Sequence, residues 1–293
     1  FRGRYGPIMA KRRSKSSAKG ASLSERWQSL RPTLVAAAWA FTLIGSALAL
    51  GMGVPALRRD AMSNRPDGPL QVVFGESPEW MTEGELVPLA NLVAERITGS
   101  AMDRSGLKEA QDALLSTGWF DEVRQVRRSG VNEVTVHARW AVPFAVVREE
   151  GYDHLVDMQG RLLPRCYREG TAPRGFLRIE GAKQARPRTY GTRWPGDDMA
   201  GAMALARLVD DRPWRGQVAW IDLSETPQDG CLRMKTTRGL TVKWGRAPGH
   251  EGAAEVPAKQ KLAGLDLLHD RYGRIDGGSE EELILLTDCV TVR

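Results

Sequence analysis

The chain has 293 residues, of which 42% are hydrophobic and nine are tryptophans. That apolar content is too high for a chain that is disordered throughout, and the length suffices for two small folded domains beside a short tail. The net charge is +6, but residues 1–31 carry nine Lys or Arg against the single acid Glu25, so the remainder is slightly acidic. The basic character therefore belongs to the N-terminal tail, and we expect no nucleic-acid partner.

An apolar run without a charge extends from Thr33 to Val54 and on to Leu57, directly before two arginines. About 20 apolar residues suffice to cross the hydrocarbon core of a bilayer as a helix. The run therefore predicts a transmembrane helix over residues 32–57. A cleaved signal peptide would usually have a shorter apolar core, and a buried globular helix would show a polar face, so both alternatives are less favoured.

The charge beside this helix sets the predicted topology. Lys and Arg accumulate on the cytoplasmic side of a first spanning helix, so we expect residues 1–31 to form a disordered cytoplasmic tail and the rest of the chain to be exported. The cluster KRRSKSSAK is interpreted as attraction to anionic lipid combined with topology setting. Nucleic-acid binding or nuclear import is its alternative. The first methionine is Met9, where we expect translation to start.

Three cysteines, Cys166, Cys231 and Cys289, fall in the part predicted to be exported. An odd number cannot form a complete disulfide framework. We expect three packed thiols in a fold of this size, with a single bridge, for instance between Cys231 and Cys289, as the alternative.

Residues 58–69, RRDAMSNRPDGP, predict a polar linker because Pro and Gly interrupt them. A first domain is predicted over residues 70–142 in the order strand, helix, helix, strand, strand. Its segments are LQVVFGES, GELVPLANLVAERI, LKEAQDALLSTG, WFDEVRQVRR and NEVTVHARW. Thr82 and Glu85 fit a capping box at the start of the first helix, and the last segment alternates apolar and polar residues as a half-buried strand does. Two helices on one face of a small sheet make a compact module.

A second domain is predicted over residues 143–293, as a mostly antiparallel sheet with flanking helices. Its strands are expected in PFAVVRE, HLVD, RLLP, GFLRIEG, QVAWIDLS, CLRMKTT, LTVKWG and EEELILLTDCVTVR, and its helices in AGAMALARLVDD and PAKQKLAGLDLLHDRYG. Asp197 or Asp198 is expected to cap the first of these helices. The last strand is expected to run to within one residue of the chain end.

Several segments carry a family likeness. These are GWFDEVRQVRR, HLVDMQGRLLP, IDLS, CLRMKTTRGLTVKWGR and KQKLAGLDLL. With the order basic tail, single span, small α+β domain and β domain, the chain resembles a divergent member of the bacterial cell-division family FtsQ, called DivIB in Gram-positive bacteria. The likeness extends over nearly the whole length, and it implies that residues 70–142 form a POTRA domain of βααββ order.

The resemblance further implies a non-catalytic scaffold of the divisome in the inner membrane, located at the division septum. Its implied partners are FtsB/DivIC-like and FtsL-like coiled-coil membrane proteins, through which it would help regulate septal peptidoglycan synthesis. A terminal strand leaves one row of backbone groups open to a partner strand. We therefore expect contacts in that strand and at the preceding helix end, with Arg and Tyr as rim contacts. The candidate partner-binding residues are Arg271, Tyr272, Leu283, Ile284, Leu285, Leu286, Thr287, Val290 and Val292. A strand buried on both sides is the alternative.

No catalytic constellation is evident in the sequence. It lacks His-Glu-x-x-His, Cys-x-x-Cys and Walker patterns, and its four histidines stand far apart, so we expect no metal and no cofactor. Asp197 and Asp198 are adjacent, so they cannot place two carboxylates across a sugar ring. A POTRA-bearing component of protein translocation or outer-membrane assembly is the alternative function, although no transmembrane-barrel pattern follows. An exported enzyme with an unrecognised site is a third hypothesis.

Overall fold

The computed structural model describes residues 23–63, 68–97, 104–130, 132–277, 282–286 and 291–292. The chain divides into two units, residues 1–64 and 65–293. We describe each unit by itself. The predicted fold class is confirmed at the level of a mixed α+β protein with one N-terminal apolar helix and mostly antiparallel sheets.

The first unit contains one helix, α1 (Leu23–Ser63). Its stretch Val35–Leu57 is long and apolar enough to cross a membrane, and none of that stretch is buried against other parts of the protein. The hydroxyl of Thr42 donates to the carbonyl of Ala38 at 2.9 Å, and that of Ser46 donates to the carbonyl of Thr42 at 2.7 Å. The two polar side chains of the apolar stretch are thus satisfied within the helix itself.

Helix α1 is longer than the predicted span at both ends. It includes residues 23–31, which were predicted as disordered tail, and residues 58–63, which were predicted as linker. The sequence RRDAM contains good helix formers that extend a helix already nucleated by the apolar run. The rest of the predicted tail, residues 1–22, and residues 64–67 of the predicted linker lie outside the described residues.

The second unit begins with a small lobe, residues 68–140, in which three strands and two helices follow the order strand, helix, helix, strand, strand. Its elements are β1 (Gln71–Phe74), α2 (Glu83–Arg96), α3 (Ser105–Ser116), β2 (Phe120–Arg128) and β3 (Glu133–Trp140). The strand order in the sheet is β1-β3-β2, with β1 parallel and β2 antiparallel to β3. Residue pairs such as Val72 with Val134 and Phe74 with Val136 set the register.

The start of α2 is fixed by its own side chains. The predicted capping box is confirmed: Glu85 accepts the backbone N–H of Thr82 at 3.0 Å and its hydroxyl at 2.8 Å. Leu89 and Val93 lie one turn apart on the buried face of the helix, a spacing typical of an amphipathic helix. At the end of α3, Gly118 has φ +81°, a left-handed conformation that glycine adopts without strain.

The core of the small lobe is rich in aromatic rings. Phe120 and Trp140 face each other across the antiparallel pair with ring centroids 4.4 Å apart, and Phe74 lies 5.8 Å from Trp140. Trp80 and Trp119 extend this cluster at 6.0 Å. Such pairs contribute about 0.5–1.5 kcal/mol beyond the burial of their area.

The large lobe, residues 141–292, is built on a nine-stranded sheet. Its elements in chain order are β4 (Pro143–Glu149), β5 (Tyr152–Asp157), β6 (Leu162–Arg168), β7 (Leu177–Glu180), α4 (Asp197–Asp210), β8 (Val218–Asp222), the single turn α5 (Thr226–Asp229), β9 (Leu232–Thr236), β10 (Thr241–Gly245), α6 (Ala258–Tyr272), β11 (Glu282–Ile284) and β12 (Thr291–Val292). The sheet order is β12-β11-β10-β9-β8-β7-β4-β5-β6. Five of its eight strand pairings are antiparallel, so the sheet is mostly antiparallel as predicted.

The two long helices of the large lobe explain two of its three parallel pairings. Helix α4 connects β7 to β8, helix α6 connects β10 to β11, and each of these strand pairs is parallel. A parallel connection needs a crossover long enough to return the chain to the same end of the sheet, and a helix supplies it. Both helices pack on the sheet face whose inward row is fully buried: Val147, Ile179, Ile221, Met234, Val242 and Leu283.

Two details of this lobe correct the sequence-based expectations. Helix α4 is capped by Gly196, without a side-chain hydrogen bond, rather than by Asp197 or Asp198. Cys166 is an exposed free thiol rather than a packed one, because β6 is the last strand of the sheet. Cys231 is half-buried. Cys289, which was also predicted to be a packed thiol, lies outside the described residues.

Candidate functional site

The candidate site is the edge of the nine-stranded sheet that β12, the last strand of the chain, forms. Strand β11 pairs in parallel with β10 through Val242 and Leu283, and β12 pairs antiparallel with β11 through Leu283 and Val292. Because β12 runs opposite to β11, residues 283–292 are not the single strand that their apolar character predicted. The last strand of the sheet order is therefore β12, and among the described strands none pairs with its outer side.

The side chains of β11 divide between the core and the surface. Leu283 and Leu285 are 0% and 2% exposed and belong to the main hydrophobic core. Ile284 and Leu286 point the other way and are half-buried. The side chains of this stretch therefore alternate between the core and the surface, and within the stretch Ile284 and Leu286 are the described candidate residues with accessible surface.

The remaining candidate residues do not form one described cluster. Val292 lies in β12, whereas Thr287 and Val290, which were also predicted as partner contacts, lie outside the described residues. Arg271 and Tyr272 end helix α6 and are exposed, with the guanidinium of Arg271 5.4 Å from the ring centroid of Tyr272. Their role as rim contacts stays a prediction.

Residues 246–257, which connect β10 to α6, form a segment that contacts the chain directly beyond β11. Leu285 donates its backbone N–H to the carbonyl of Lys243 at 3.1 Å, and the carbonyl of Leu286 accepts the N–H of Val256 at 3.3 Å. Gly245 has φ +98°, and a Cβ there would lie 2.4 Å from a side-chain carbon of Leu286. The end of β10 and the segment around Val256 therefore fix the position at which the chain leaves β11.

That segment is organised by a buried ion pair. Lys261 of α6 has a side chain that is 0% exposed; it donates to the carbonyl of Trp244 at 2.6 Å, lies 5.0 Å from the Trp244 ring centroid and pairs with Glu255. Glu255 also accepts the backbone N–H groups of Arg246 at 2.9 Å and Gly252 at 3.2 Å. Each buried charge thus has several partners, as burial of a charge requires. Sequence reasoning missed this pair, because a lysine among leucines on a helix is indistinguishable from a surface lysine.

The opposite end of the large sheet is closed to a further strand. Pro164 in β6 has no N–H to donate. Leu162 exchanges backbone hydrogen bonds with the segment that follows β7, donating to Thr192 at 2.9 Å and accepting from Gly191 at 2.7 Å. The large sheet therefore protects its β6 end, in the way sheets usually avoid edge-to-edge association.

Beside β6 the two lobes meet at a polar junction. Arg165 donates from Nε to Glu85 at 2.6 Å, makes a second contact to the same carboxylate, and lies 5.6 Å from the ring centroid of Trp119. Arg161 pairs with Asp121 of the small lobe and donates to the buried Asp157 at 2.6 Å. These arginines were not predicted. Their signal in the sequence is two arginines four residues apart, one directly before and one within an edge strand that also contains a proline.

Arg165 lowers the pKa of the acid that it contacts. Burial alone would raise the pKa of Glu85, but hydrogen bonds from Arg165 and from Thr82 hold that pKa below its ordinary value. The carboxylate is therefore favoured in its charged form, which is the form that caps α2 and receives Arg165.

A groove of about 1010 Å³ follows the outer side of α4, with Lys183, Ala204, Arg246 and His250 among its lining residues. The carboxylate of Asp198 at its margin accepts the backbone N–H of Lys183 at 2.8 Å, so it orders the loop before α4. Within the described part of the chain, no group of three or more His, Cys, Asp or Glu side chains is placed to hold a metal ion.

No protein-family model matches the chain, and no curated protein matches it.

Proposed function

We propose that the protein is a non-catalytic, single-pass membrane scaffold of the bacterial division machinery, of the FtsQ/DivIB kind. It recruits FtsB/DivIC-like and FtsL-like partners through the C-terminal edge of its large sheet, and so helps regulate septal peptidoglycan synthesis. The observation that carries this proposal is the asymmetry of the sheet: the β6 end is closed by Pro164 and a neighbouring segment, whereas the β12 end has no described strand beyond it.

The membrane part of the proposal rests on α1 and the charges before it. The stretch Val35–Leu57 has the length and composition of a spanning helix, and nine basic residues precede it within residues 1–31. By the positive-inside rule the tail lies in the cytoplasm, close to anionic lipid, and both lobes lie outside the cytoplasmic membrane.

The small lobe supports the same family. Its elements follow the order strand, helix, helix, strand, strand, with both helices packed on a three-stranded sheet. That arrangement fits the POTRA interpretation of residues 70–142.

The large lobe supplies the recruiting surface. A partner strand that added to β12 would gain backbone hydrogen bonds without any change in the core, because Leu283 and Leu285 already fill the inward face. Ile284 and Leu286, on the other face, provide apolar area beside β12, the strand to which the partner would add. The buried pair of Lys261 and Glu255 keeps that face in place from behind.

The structure sharpens the experiment that tests this edge. Deletion of residues 287–293 removes β12 but leaves the core residues Leu283 and Leu285, so the large lobe stays folded. The full chain and the deletion variant are each used to capture membrane partners from cells, and the retained proteins are identified by mass spectrometry. We expect the full chain to retain a small single-pass coiled-coil protein and the deletion variant to lose it. Equal recovery by both would place the interface elsewhere.

A pair of proline substitutions provides the matched control. Successive residues of a strand direct their N–H groups to opposite sides, so Thr291→Pro and Val292→Pro remove one outward and one inward donor between them. If strand addition is the mode of binding, one variant loses the partner more strongly than the other. Equal retention of the partner by both variants would argue against backbone pairing.

A further inference from the structure

The junction between the lobes contains more directed contacts than a flexible connection requires. Arg165 projects from β6 and Arg161 directly precedes that strand, and each meets a carboxylate of the small lobe, Glu85 and Asp121 respectively. The side chains of all four residues are between 19% and 27% exposed, so the pairs are partly shielded from solvent. Shielding of this kind reduces the screening that weakens exposed ion pairs.

Arg165 is held from three directions. Its guanidinium contacts both oxygens of Glu85, donates to the Tyr167 hydroxyl at 3.3 Å and lies over the Trp119 ring. A two-point Arg–carboxylate contact fixes an angle as well as a distance. Because Glu85 also caps α2 through Thr82, the contact is anchored in the rigid start of a helix rather than in a loop.

A third contact is made by the backbone. Gly118, between α3 and β2, lies so close to Tyr190 and Gly191 of the large lobe that a Cβ on it would be 2.6 Å from the Tyr190 Cβ and 2.8 Å from the Gly191 nitrogen. Gly191 is itself bonded to Leu162 at the start of β6. The junction therefore joins α2, the turn before β2 and the strand β2 to β6 and the residue directly before it.

We infer that Arg161 and Arg165 are positioning residues that lock the two lobes into one rigid body. Two lobes joined by a short connection are expected to move relative to each other unless a specific interface prevents it. Here the interface fixes the angle between the small sheet and the large sheet. The consequence for recruitment, that the β12 edge is presented in one constant direction, rests on the proposed function; the locking itself does not.

The test measures the distance between the lobes in the full chain, reconstituted in lipid nanodiscs without any partner. Spin labels are attached through a keto amino acid at Lys108 of α3 and Lys259 of α6, both exposed, which avoids the native cysteines. Pulsed electron–electron double resonance then gives the distribution of distances between the two labels. We expect one narrow distribution for the otherwise unchanged chain, and a broadened or divided one for Arg161→Ala/Arg165→Ala.

The control variant removes the same number of charges from the same region without touching the junction. Arg168→Ala/Arg174→Ala does this, because both arginines are exposed, and its distribution should superimpose on that of the unchanged chain. If the double junction variant does not fold, as judged by circular dichroism, the single substitution Arg165→Ala is measured instead and should also broaden the distribution.

A broad distribution in the unchanged chain would overturn the inference, and so would a junction variant as narrow as the control. Because no partner is present, either result leaves the proposed recruitment edge untested on its own terms. Loss of partner binding in the deletion experiment, conversely, says nothing about the junction, so the two proposals fail separately.

Discussion

The substitution Glu255→Gln tests the buried ion pair behind the candidate edge. In the unchanged protein the ammonium of Lys261 is 0% exposed and the carboxylate of Glu255 is 10% exposed. A glutamine in place of Glu255 has one oxygen acceptor where the carboxylate uses two, so it can accept the backbone N–H of Arg246 or of Gly252 but not both. It also leaves the Lys261 charge without the carboxylate that it pairs with. The charge cannot move to solvent, because the carbonyl and ring of Trp244 enclose it.

The magnitude follows from the cost of an uncompensated buried charge. Removing one partner of a buried pair lowers the free energy of unfolding by about 3–5 kcal/mol. For a folded unit of about 150–250 residues, each kcal/mol lowers the melting temperature by about 2–4 °C. We therefore expect Glu255→Gln to lower the melting temperature by about 6–20 °C.

The assay is thermal unfolding of the full chain in detergent, followed by circular dichroism at a fixed protein concentration. Asp270→Asn serves as the control, since it removes one carboxylate from an exposed position of the same helix, α6; it should cost less than about 1 kcal/mol. The double variant Glu255→Gln/Lys261→Met should recover part of the loss, because it removes the orphaned charge. A Glu255→Gln protein that melts with the control would refute the reasoning.

Three further predictions concern the packing and the junction. Gly118→Ala places a Cβ 2.6 Å from the nearest side-chain carbon and should lower the free energy of unfolding, measured in urea, by more than about 1 kcal/mol. Gly170→Ala is the control, because Gly170 has φ +75° but open space around it, so this variant measures the cost of the backbone conformation without a clash. An equal loss of stability in both variants would exclude the clash. Leu265→Ala, at a position that is 0% exposed, should cost about 2–5 kcal/mol by the same measurement, and a loss below about 1 kcal/mol would place Leu265 outside the core. Because the pKa of Glu85 is lowered in the folded state, its contribution to the free energy of unfolding is complete above the unfolded-state pKa of about 4.3 and is lost as the pH falls through the folded-state pKa. In urea titrations at several acidic pH values, the free energy of unfolding should therefore fall less steeply with decreasing pH for Glu85→Gln than for the unchanged chain. An identical dependence on pH in both proteins would contradict this.

Local patterns in the sequence predicted most of the elements of the fold. The capping box of Thr82 and Glu85 and the alternation in β3 each depend on residues close together in the chain. Such signals reflect backbone geometry that is the same in any protein.

The pairing of the strands was less predictable, because it depends on contacts between distant segments. The segments of α4 and α6 were each predicted as helices between strands, but not as crossovers that make β7 parallel to β8 and β10 parallel to β11. The closing stretch shows the same limit: its apolar character predicted one strand, whereas β12 pairs antiparallel with β11.

The polar contacts behind the site were not predictable from composition. Lys261 and Arg165 have the sequence signature of solvent-exposed residues, and only the fold brings them to Glu255 and Glu85. A charged side chain is rarely buried unless an oppositely charged partner lies beside it. Such a partner can be distant in the chain, since Arg165 and Glu85 are eighty positions apart.

The most direct test of the central claim is the position of the protein in growing cells. A fluorescent fusion to the N-terminal tail, expressed at the native level, reports where the full chain accumulates. A division scaffold is expected to form a band at midcell that appears before constriction and weakens when residues 287–293 are deleted. An even peripheral ring at every stage of the cell cycle would contradict the proposal and favour a general role in translocation or assembly.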